Sequence, residues 1–319
     1  MGSDPFRWGI LGPGRIAHKF ALSLPFSENG ILSAVASRDI SKAREFSGKF
    51  GSTLSFGSYD EMICSGEVDA VYVSTPHTFH FEHSELCLTH NIPVLCEKPL
   101  TMNPKQTKRL IEISNEHKTF LMEGMWTAFL PHFVQCQNWI EEGKIGEVVH
   151  VQADFGYKAD FNPIDRKYNP ELGGSVTKDV GIYPLTLFYK ILGMPESLQT
   201  LGSRASTGID EHVVFQGMNS NNATFQGMVS FRAQSDVEAT IIGTEGKIKI
   251  SSQWLRPVSA SLIRPDETII FEKKVGGLGF QFEANEVERA VRNGELESNI
   301  WSHKDSLQIS NLIARVESI

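Results

Sequence analysis

The run PVLCEKPLT at 93–101 begins as an interior strand, with Val94 and Leu95 apolar, and then sets Glu97, Lys98 and Pro99 directly behind Cys96. A lysine there carries a cation to a strand tip, where it can stabilise the negative charge that develops as a carbinol becomes a carbonyl. A stem that snorkels to solvent is the other use of the same residue. Upstream, GILGPGRIA places Gly12, Gly14 and Ala17 as G-x-G-x-x-A after an apolar run and at a helix start. That spacing suits a pyrophosphate: Gly12 permits a tight turn, Gly14 a close backbone approach, Ala17 close helix packing, and the helix N-terminus meets the anion. A turn that only joins strand to helix would need glycine too. The run AVASRD then ends with Ser37 and Arg38, a hydroxyl and a guanidinium suited to a 2′-phosphate. Asp39 falls near the spacing of about 20 residues at which an acid takes the ribose 2′-hydroxyl. The expected cofactor is NADP, with NAD as the second choice if Asp39 turns inward; a surface Arg–Asp pair at a helix start is the structural alternative.

These groups need strands that end at one edge. Short β-rich runs appear at RWGILG, ILSAVAS, DAVYVST, PVLCE and FLMEGM, with a weaker one at TLSF, and helical stretches lie between them. Ser58 with Glu61 makes a capping box, and Asn103-Pro104 is a cap followed by a first-turn proline. Such alternation closes by right-handed crossovers into an open, doubly wound parallel sheet with ligands at the carboxyl ends of its strands. From about residue 147 the pattern turns to alternating strands. ATFQGMVSFRA sets Phe225, Gly227, Val229 and Phe231 on one face, and IIGTEGKIKI reads as a hairpin around Thr244-Glu245-Gly246. The expected architecture is α/β: an N-terminal Rossmann domain over 1–126 and a C-terminal α+β domain over 127–319, with a large open-faced, mainly antiparallel sheet. The open face is expected to serve self-association as a homodimer or higher homo-oligomer, a solvated face being the alternative. The polar stretch YKADFNPIDRKYNPELGGS, 157–175, is the one long loop, of the kind that forms binding elements.

Composition bounds the partners. The chain has 319 residues, 40% hydrophobic and 21% charged, a length that calls for about two cores. A net charge of −8 argues against a nucleic-acid surface and against anionic lipid. No apolar run approaches the roughly 18 residues of a membrane span, and MGSDPFRWGILG has no basic segment followed by an apolar one, so no secretory signal is expected. Four cysteines stand singly, with no C-x-x-C, as reduced thiols of a cytoplasmic protein would.

Together GPGRIA, STPHTFH, EKP, GGSVTKDVGIYP and ESNIWSHKDSL resemble the family of glucose-fructose oxidoreductase and inositol dehydrogenase (Gfo/Idh/MocA) across nearly the whole chain. MEGMW, DVGIYP and FEANEVERAV are most similar to its branch of dimeric dihydrodiol dehydrogenases and NADP-dependent D-xylose dehydrogenases. The resemblance implies hydride transfer between NAD(P) and a sugar or cyclic trans-dihydrodiol, at a secondary alcohol or hemiacetal carbon. It implies that Lys98 contacts nicotinamide and substrate, and that Gly12, Gly14, Arg15, Ile16, Ser37, Arg38, Thr75, Pro76, His77, His80 and Glu97 serve the cofactor. It matches Asp179 to a substrate-site aspartate, and Tyr183 to a position that is histidine in most members and tyrosine in this branch. The two are four residues apart, so a helical turn would bring them to one face, and Pro184 fits a helix that begins near Val180. Tyrosine ordinarily ionises near pH ~10, and a neighbouring ammonium such as Lys98 would lower that toward a working range. A tyrosine packed on an amphipathic helix is the plainer reading.

Two positions depart from the pattern: Ala128 where branch members often carry arginine, and Ser175 in the glycine triplet before Asp179. Trp126 and Phe155 are candidates for a substrate wall, although large apolar side chains at strand ends are more often core. Histidines 77, 80 and 83 have the spacing of a row of metal ligands, but no thiolate pair or acidic partner accompanies them, so no metal is expected. The alternative function is a nucleotide-binding sensor or regulator that keeps the fold without turnover. Lysine, aspartate and tyrosine retained together favour the enzyme, since a binding module needs no tuned proton carrier.

Overall fold

The computed structural model describes residues 4–318, which form two compact units. The first comprises Met1–Phe129 and Val275–Leu307, the second Leu130–Lys274 and Gln308–Ile319. In the first, β1 (Phe6–Leu11), β2 (Gly30–Ala36), β3 (Leu54–Phe56), β4 (Ala70–Val73), β5 (Val94–Glu97) and β6 (Leu121–Gly124) pair in parallel in the order β3-β2-β1-β4-β5-β6. This is the doubly wound arrangement, with the strand order reversing between β1 and β4. The crossovers run through α1 (Arg15–Ser23), α2 (Ile40–Phe50), α3 (Tyr59–Ile63), α4 (His80–Thr89) and α5 (Pro104–His117). On one face Leu11, Val71, Val73, Val94 and Cys96 pack with Met62, Leu88 and Leu110 from α3, α4 and α5. The alternate strand residues Trp8 and Tyr72 meet Phe20 of α1, which stacks on Tyr72 at 4.0 Å and touches Trp8 edge-on at 5.2 Å. With both faces covered, the strands read as continuous apolar runs rather than alternating ones. Each large side chain so buried contributes about 1.5–3 kcal/mol relative to exposure.

The helix starts follow their caps. Ser58 accepts from the Glu61 amide at 3.2 Å, and Asn103 from that of Gln106 at 3.0 Å.

The second unit holds α6 (Pro131–Glu141), α7 (Ile182–Leu192) and an eight-stranded sheet. Its strands are β7 (Val148–Gly156), β8 (Ser197–Arg204), β9 (Asp210–Met218), β10 (Thr224–Ser230), β11 (Ala239–Gly243), β12 (Lys247–Ile250), β13 (Ala260–Arg264) and β14 (Glu267–Phe271). The order is β14-β13-β12-β11-β7-β10-β9-β8, antiparallel throughout except for the parallel pair β7–β10. The hairpin turns where expected, with Ile242 opposite Lys247. α7 covers one face, Phe188 packing on Phe225 at 4.8 Å and on Phe215 at 6.0 Å. The other face leaves Leu201 and Ile270 76% and 67% exposed.

The expected single division after residue 126 does not allow for residues 275–307, which pack with the first unit. α8 (Phe280–Arg292) lies on α1, and the Leu121 amide at the start of β6 donates to Leu296 O at 3.0 Å, which covers that strand's outer edge. The last helix is α9 (His303–Glu317). No helix among the described residues is long and apolar enough to cross a membrane.

Candidate active site

Gly12 sits at φ +85°, donates its amide to Ala36 O at 3.1 Å, and would set a Cβ 2.8 Å from Thr75 Cγ2. It therefore needs glycine for both backbone and space. Gly14 is different: a Cβ there would meet nothing nearer than Gly12 O at 3.9 Å, so its smallness fills no packing need and leaves the approach to the turn open. α1 begins at Arg15 with no side-chain cap and no acid in its first turn, so its leading amides are left for an anion. Arg15 is exposed and Ile16 half-buried.

At the tip of β2, Ser37 is buried and its hydroxyl accepts from the Asp39 amide at 3.2 Å. Asp39 caps α2: its carboxylate accepts from the Ser41 hydroxyl at 2.6 Å and the Ser41 amide at 2.9 Å, and these bonds hold it below the usual carboxylate range. Arg38 is exposed, its guanidinium carbon 5.8 Å from the centroid of the Phe79 ring. Phe79 stacks in turn on His83, whose Nδ1 is 2.9 Å from the Thr75 hydroxyl. The turn, the helix start and Arg38 are the groups that would hold a 2′-phosphorylated dinucleotide, and their chemistry fits one.

Pro76 leads into a short 3-10 turn, His77–Phe79, and then α4. His80 is fully buried, with Nδ1 2.8 Å from Pro99 O and Nε2 2.8 Å from Thr75 O. Burial pulls it down to about 4 against those two carbonyls, so the ring is neutral and donates to one of them at a time. It ties the ends of β4 and β5 together. The nearly buried Lys98 follows β5 directly. Its neighbour Glu97 accepts from the Tyr72 hydroxyl on Oε1 and from the Lys98 amide on Oε2 at 3.2 Å. Burial pushes the Glu97 carboxyl up, opposed by the Lys98 ammonium and by Tyr72. Beyond Pro99, the Leu100 amide donates to Glu123 Oε1 at 2.8 Å, and the Trp301 indole to Glu123 Oε2 at 3.1 Å. Trp126 lies in a 3-10 turn after β6 and stacks on Phe280 of α8 at 4.6 Å.

In the second unit, Asp179 and Tyr183 flank a helical discontinuity. Thr177–Gly181 form a π turn that runs into α7, so the helix does not start cleanly near Val180. Pro184 has no amide to give, and its ring would meet the carbonyl of residue 180 in a regular helix; the wider turn absorbs that conflict. The Asp179 carboxylate is paired with Arg166, Nη2 to Oδ1 at 2.9 Å, and also accepts from the Tyr157 hydroxyl at 3.4 Å. Burial, and after it the Asp179 charge, push the Tyr157 hydroxyl far up, so it stays protonated. Tyr183 is 8% exposed, its ring centroid 6.0 Å from that of Phe155. Ser175, the departure in the glycine triplet, accepts from the Lys178 amide at 3.0 Å and donates to Glu317 Oε1 at 2.8 Å, so its hydroxyl caps the π turn. Ala128 is buried in the turn after Trp126.

The first unit thus gathers the glycine turn, Ser37, Arg38, Thr75 and Lys98 at the carboxyl edge of one sheet, and in the second Tyr183 lies by Phe155 while Asp179 is held by Arg166 and Tyr157. Arg166, Tyr157, Phe79 and Phe280 were not among the residues expected. Arg166 and Tyr157 lie within the long loop singled out as a binding element, which was the available signal. Among the described residues no group of three or more His, Cys, Asp or Glu is placed to hold a metal.

Comparison with known proteins matches residues 6–125 to an oxidoreductase family with an NAD-binding Rossmann fold, and residues 133–249 to the GFO/IDH/MocA C-terminal domain. A trans-1,2-dihydrobenzene-1,2-diol dehydrogenase from Danio rerio is 33% identical over 96% of this chain and 94% of its own. A D-xylose 1-dehydrogenase (NADP(+)) from Hypocrea jecorina is 30% identical over 95% and 89%. A 3-ketoreductase from Actinomadura kijaniata, solved with NADP and TDP-benzene, superposes with a TM-score of 0.84 at 26% identity over 99% and 98% of the two chains.

Proposed function

The chain belongs to the Gfo/Idh/MocA oxidoreductase family, and from that premise we propose that it moves hydride between NADP and a secondary alcohol or hemiacetal carbon of a sugar or cyclic trans-dihydrodiol. One observation carries the reading: the unfilled glycine turn after β1 and the lysine after β5 share one sheet edge, each strand next to β4. Two strand spacings, about 10 Å, separate them, and a dinucleotide lying across the strand ends spans that gap.

In this reading bound NADP or NADPH would supply the hydride acceptor or donor, and the side chains would do the rest. Lys98 holds the nicotinamide end and stabilises the oxyanion. Asp179, kept in place by Arg166, orients the substrate hydroxyl. Tyr183 takes its proton on Oη. Thr75, Pro76 and His77 border the ribose, while the buried His80 fixes the backbone on either side of it. Trp126, backed by Phe280, and Phe155 are walls for the substrate. Reduction of NADP by a panel of sugars and trans-diols, followed by nicotinamide absorbance, tests this. A folded protein that binds NADP but turns over none of them would favour the sensor.

The cofactor preference is assigned to Ser37 and Arg38, with Asp39 occupied by its cap. An arginine–phosphate contact contributes roughly 1.5–3 kcal/mol, about one to two decades of affinity. Arg38→Ala is therefore expected to raise the Kd for NADP by that factor and to leave that for NAD nearly unchanged; calorimetry showing equal losses for both removes the assignment. We place the protein in the cytoplasm, as its free thiols favour. It self-associates, in this proposal, through the sheet face bearing Leu201, Ile242 and Ile270, whose exposed side chains favour burial. Leu201→Glu should then lower the mass measured by light scattering, and a wild-type monomer would refute the interface.

A further inference from the structure

Glu283 has no role in the reaction as described, and its surroundings are unusual. It sits in the first turn of α8, fully buried, and neither carboxyl oxygen has a hydrogen-bond partner among the described residues. Burying a polar group unpaired costs about 1–3 kcal/mol, and burying a bare charge costs far more. The carboxyl reaches the carboxyl end of the parallel sheet. A Cβ placed on Gly124 would lie 3.6 Å from Glu283 Oε2, 3.5 Å from Glu97 Cα and 3.3 Å from Cys96 O, so the absent side chain at Gly124, which stands opposite Glu97 in the sheet, leaves the room that the Glu283 carboxyl occupies. The titratable and charged groups that act on Glu97 are Tyr72 and Cys96 on the sheet, Glu123 at the end of β6, Lys19 from α1, and Lys98, and Glu97 is in turn the charge that acts on Glu283. Lys98 and Tyr72 both favour the charged form of Glu97. Burial first, and then the Glu97 charge, push Glu283 well up, and with no partner for a carboxylate it is Glu283, of the two carboxyls, that holds a proton the more tightly.

We propose that Glu283 is a positioning residue that holds one proton in a buried carboxyl pair with Glu97, and that this proton responds to the oxidation state of the nicotinamide held by Lys98. The proposal rests on the reading of Lys98 given above. Oxidised nicotinamide is cationic and reduced nicotinamide is neutral. With the reduced form bound, a single carboxylate, that of Glu97, balances the Lys98 ammonium and the acid stays neutral. With the oxidised form bound, a second positive charge favours the second carboxylate, and the Glu283 O–H breaks with release of the proton to solvent. By reciprocity, rising pH must then strengthen binding of the oxidised form relative to the reduced one, by as much as about tenfold per pH unit while the site titrates.

Infrared spectroscopy and calorimetry test this on the intact protein. At neutral pH the wild type should show the C=O stretch of a protonated carboxylic acid that is missing from Glu283→Gln. The ratio of Kd values for NADP and NADPH, measured from about pH 6 to pH 9 in buffers of different ionisation enthalpy, should shift with pH and report proton release on NADP binding only. In Glu283→Gln, and in Glu283→Met as an apolar replacement of similar length, that ratio should be flat. Folding supplies a readout independent of cofactor. A carboxyl whose folded value is raised stabilises most below its unfolded value and loses that contribution as pH rises through the folded one. Wild-type Tm should therefore fall relative to Glu283→Gln on the alkaline side. Persistence of the infrared band in Glu283→Gln, or an unchanged pH-dependent ratio in both variants, overturns the proposal. A wild-type ratio independent of pH overturns the cofactor link while leaving the role of Lys98 intact. Unaltered affinity for both cofactor forms in Lys98→Met overturns that role, and the link with it.

Discussion

Tyr183→Phe is expected to lower the rate of alcohol oxidation by about 10² to 10⁴, the usual contribution of a positioned acid–base group. The substitution removes only Oη. The ring stays in its buried place near Phe155, at the second residue of α7, so the folded unit should persist with its Tm little changed. The rise of oxidation rate with pH that deprotonation of the tyrosine gives should be lost, because phenylalanine cannot titrate. Tyr183→His offers a second proton carrier at the same point and should recover part of the rate, with an inflection nearer ~6.5. A phenylalanine variant with near-full oxidation rate and an unaltered profile would mean that the proton leaves through another group, with Lys98 the leading candidate.

Lys98→Ala should reduce turnover by roughly 10² to 10³, the range for losing one electrostatic group at a developing oxyanion. The loss has a second effect within the first unit. Lys98 is the main charge that favours an ionised Glu97 against burial, and only Tyr72, the Lys98 amide and the more distant Lys19 remain to oppose burial once it is gone. The variant should therefore carry an additional proton at neutral pH, visible as a new carboxylic acid band alongside the kinetic defect. NADP binding by calorimetry separates a failure to bind from a failure to react. A folded variant that binds NADP and turns over within a few-fold of wild type would remove Lys98 from the chemistry.

Where an element is defined by neighbours in sequence, it was legible. The six parallel strands announce themselves as apolar runs separated by capped helices, and even β3, three residues long, leaves a trace in TLSF. Asp39 looked ambiguous because an acid after a strand serves equally as a ribose acceptor and as a helix cap; the decision lies in its bonds to Ser41. Arg166 could not be assigned because its partner, Asp179, is fixed by how a 19-residue loop folds back rather than by any period. Glu283 was hidden for a different reason. On an amphipathic helix rich in glutamate, acids read as a solvated face, and nothing local distinguishes Glu283, fully buried, from Glu295, which lies half-buried just past the helix and bonds to Arg289. The π turn before α7 likewise depends on accommodating Pro184 within a helix already begun.

The strand that ends the parallel sheet is closed by chain made much later. Leu121 bonds to Leu296, and Glu123 accepts from Trp301, so the nucleotide-binding unit lacks its last pieces until residues 275–307 have left the ribosome. At about 5–20 residues per second, translation of residues 130–274 takes roughly 7–30 s. Through that interval the nascent sheet presents an open edge and a carboxyl without its indole, which are features that recruit chaperones.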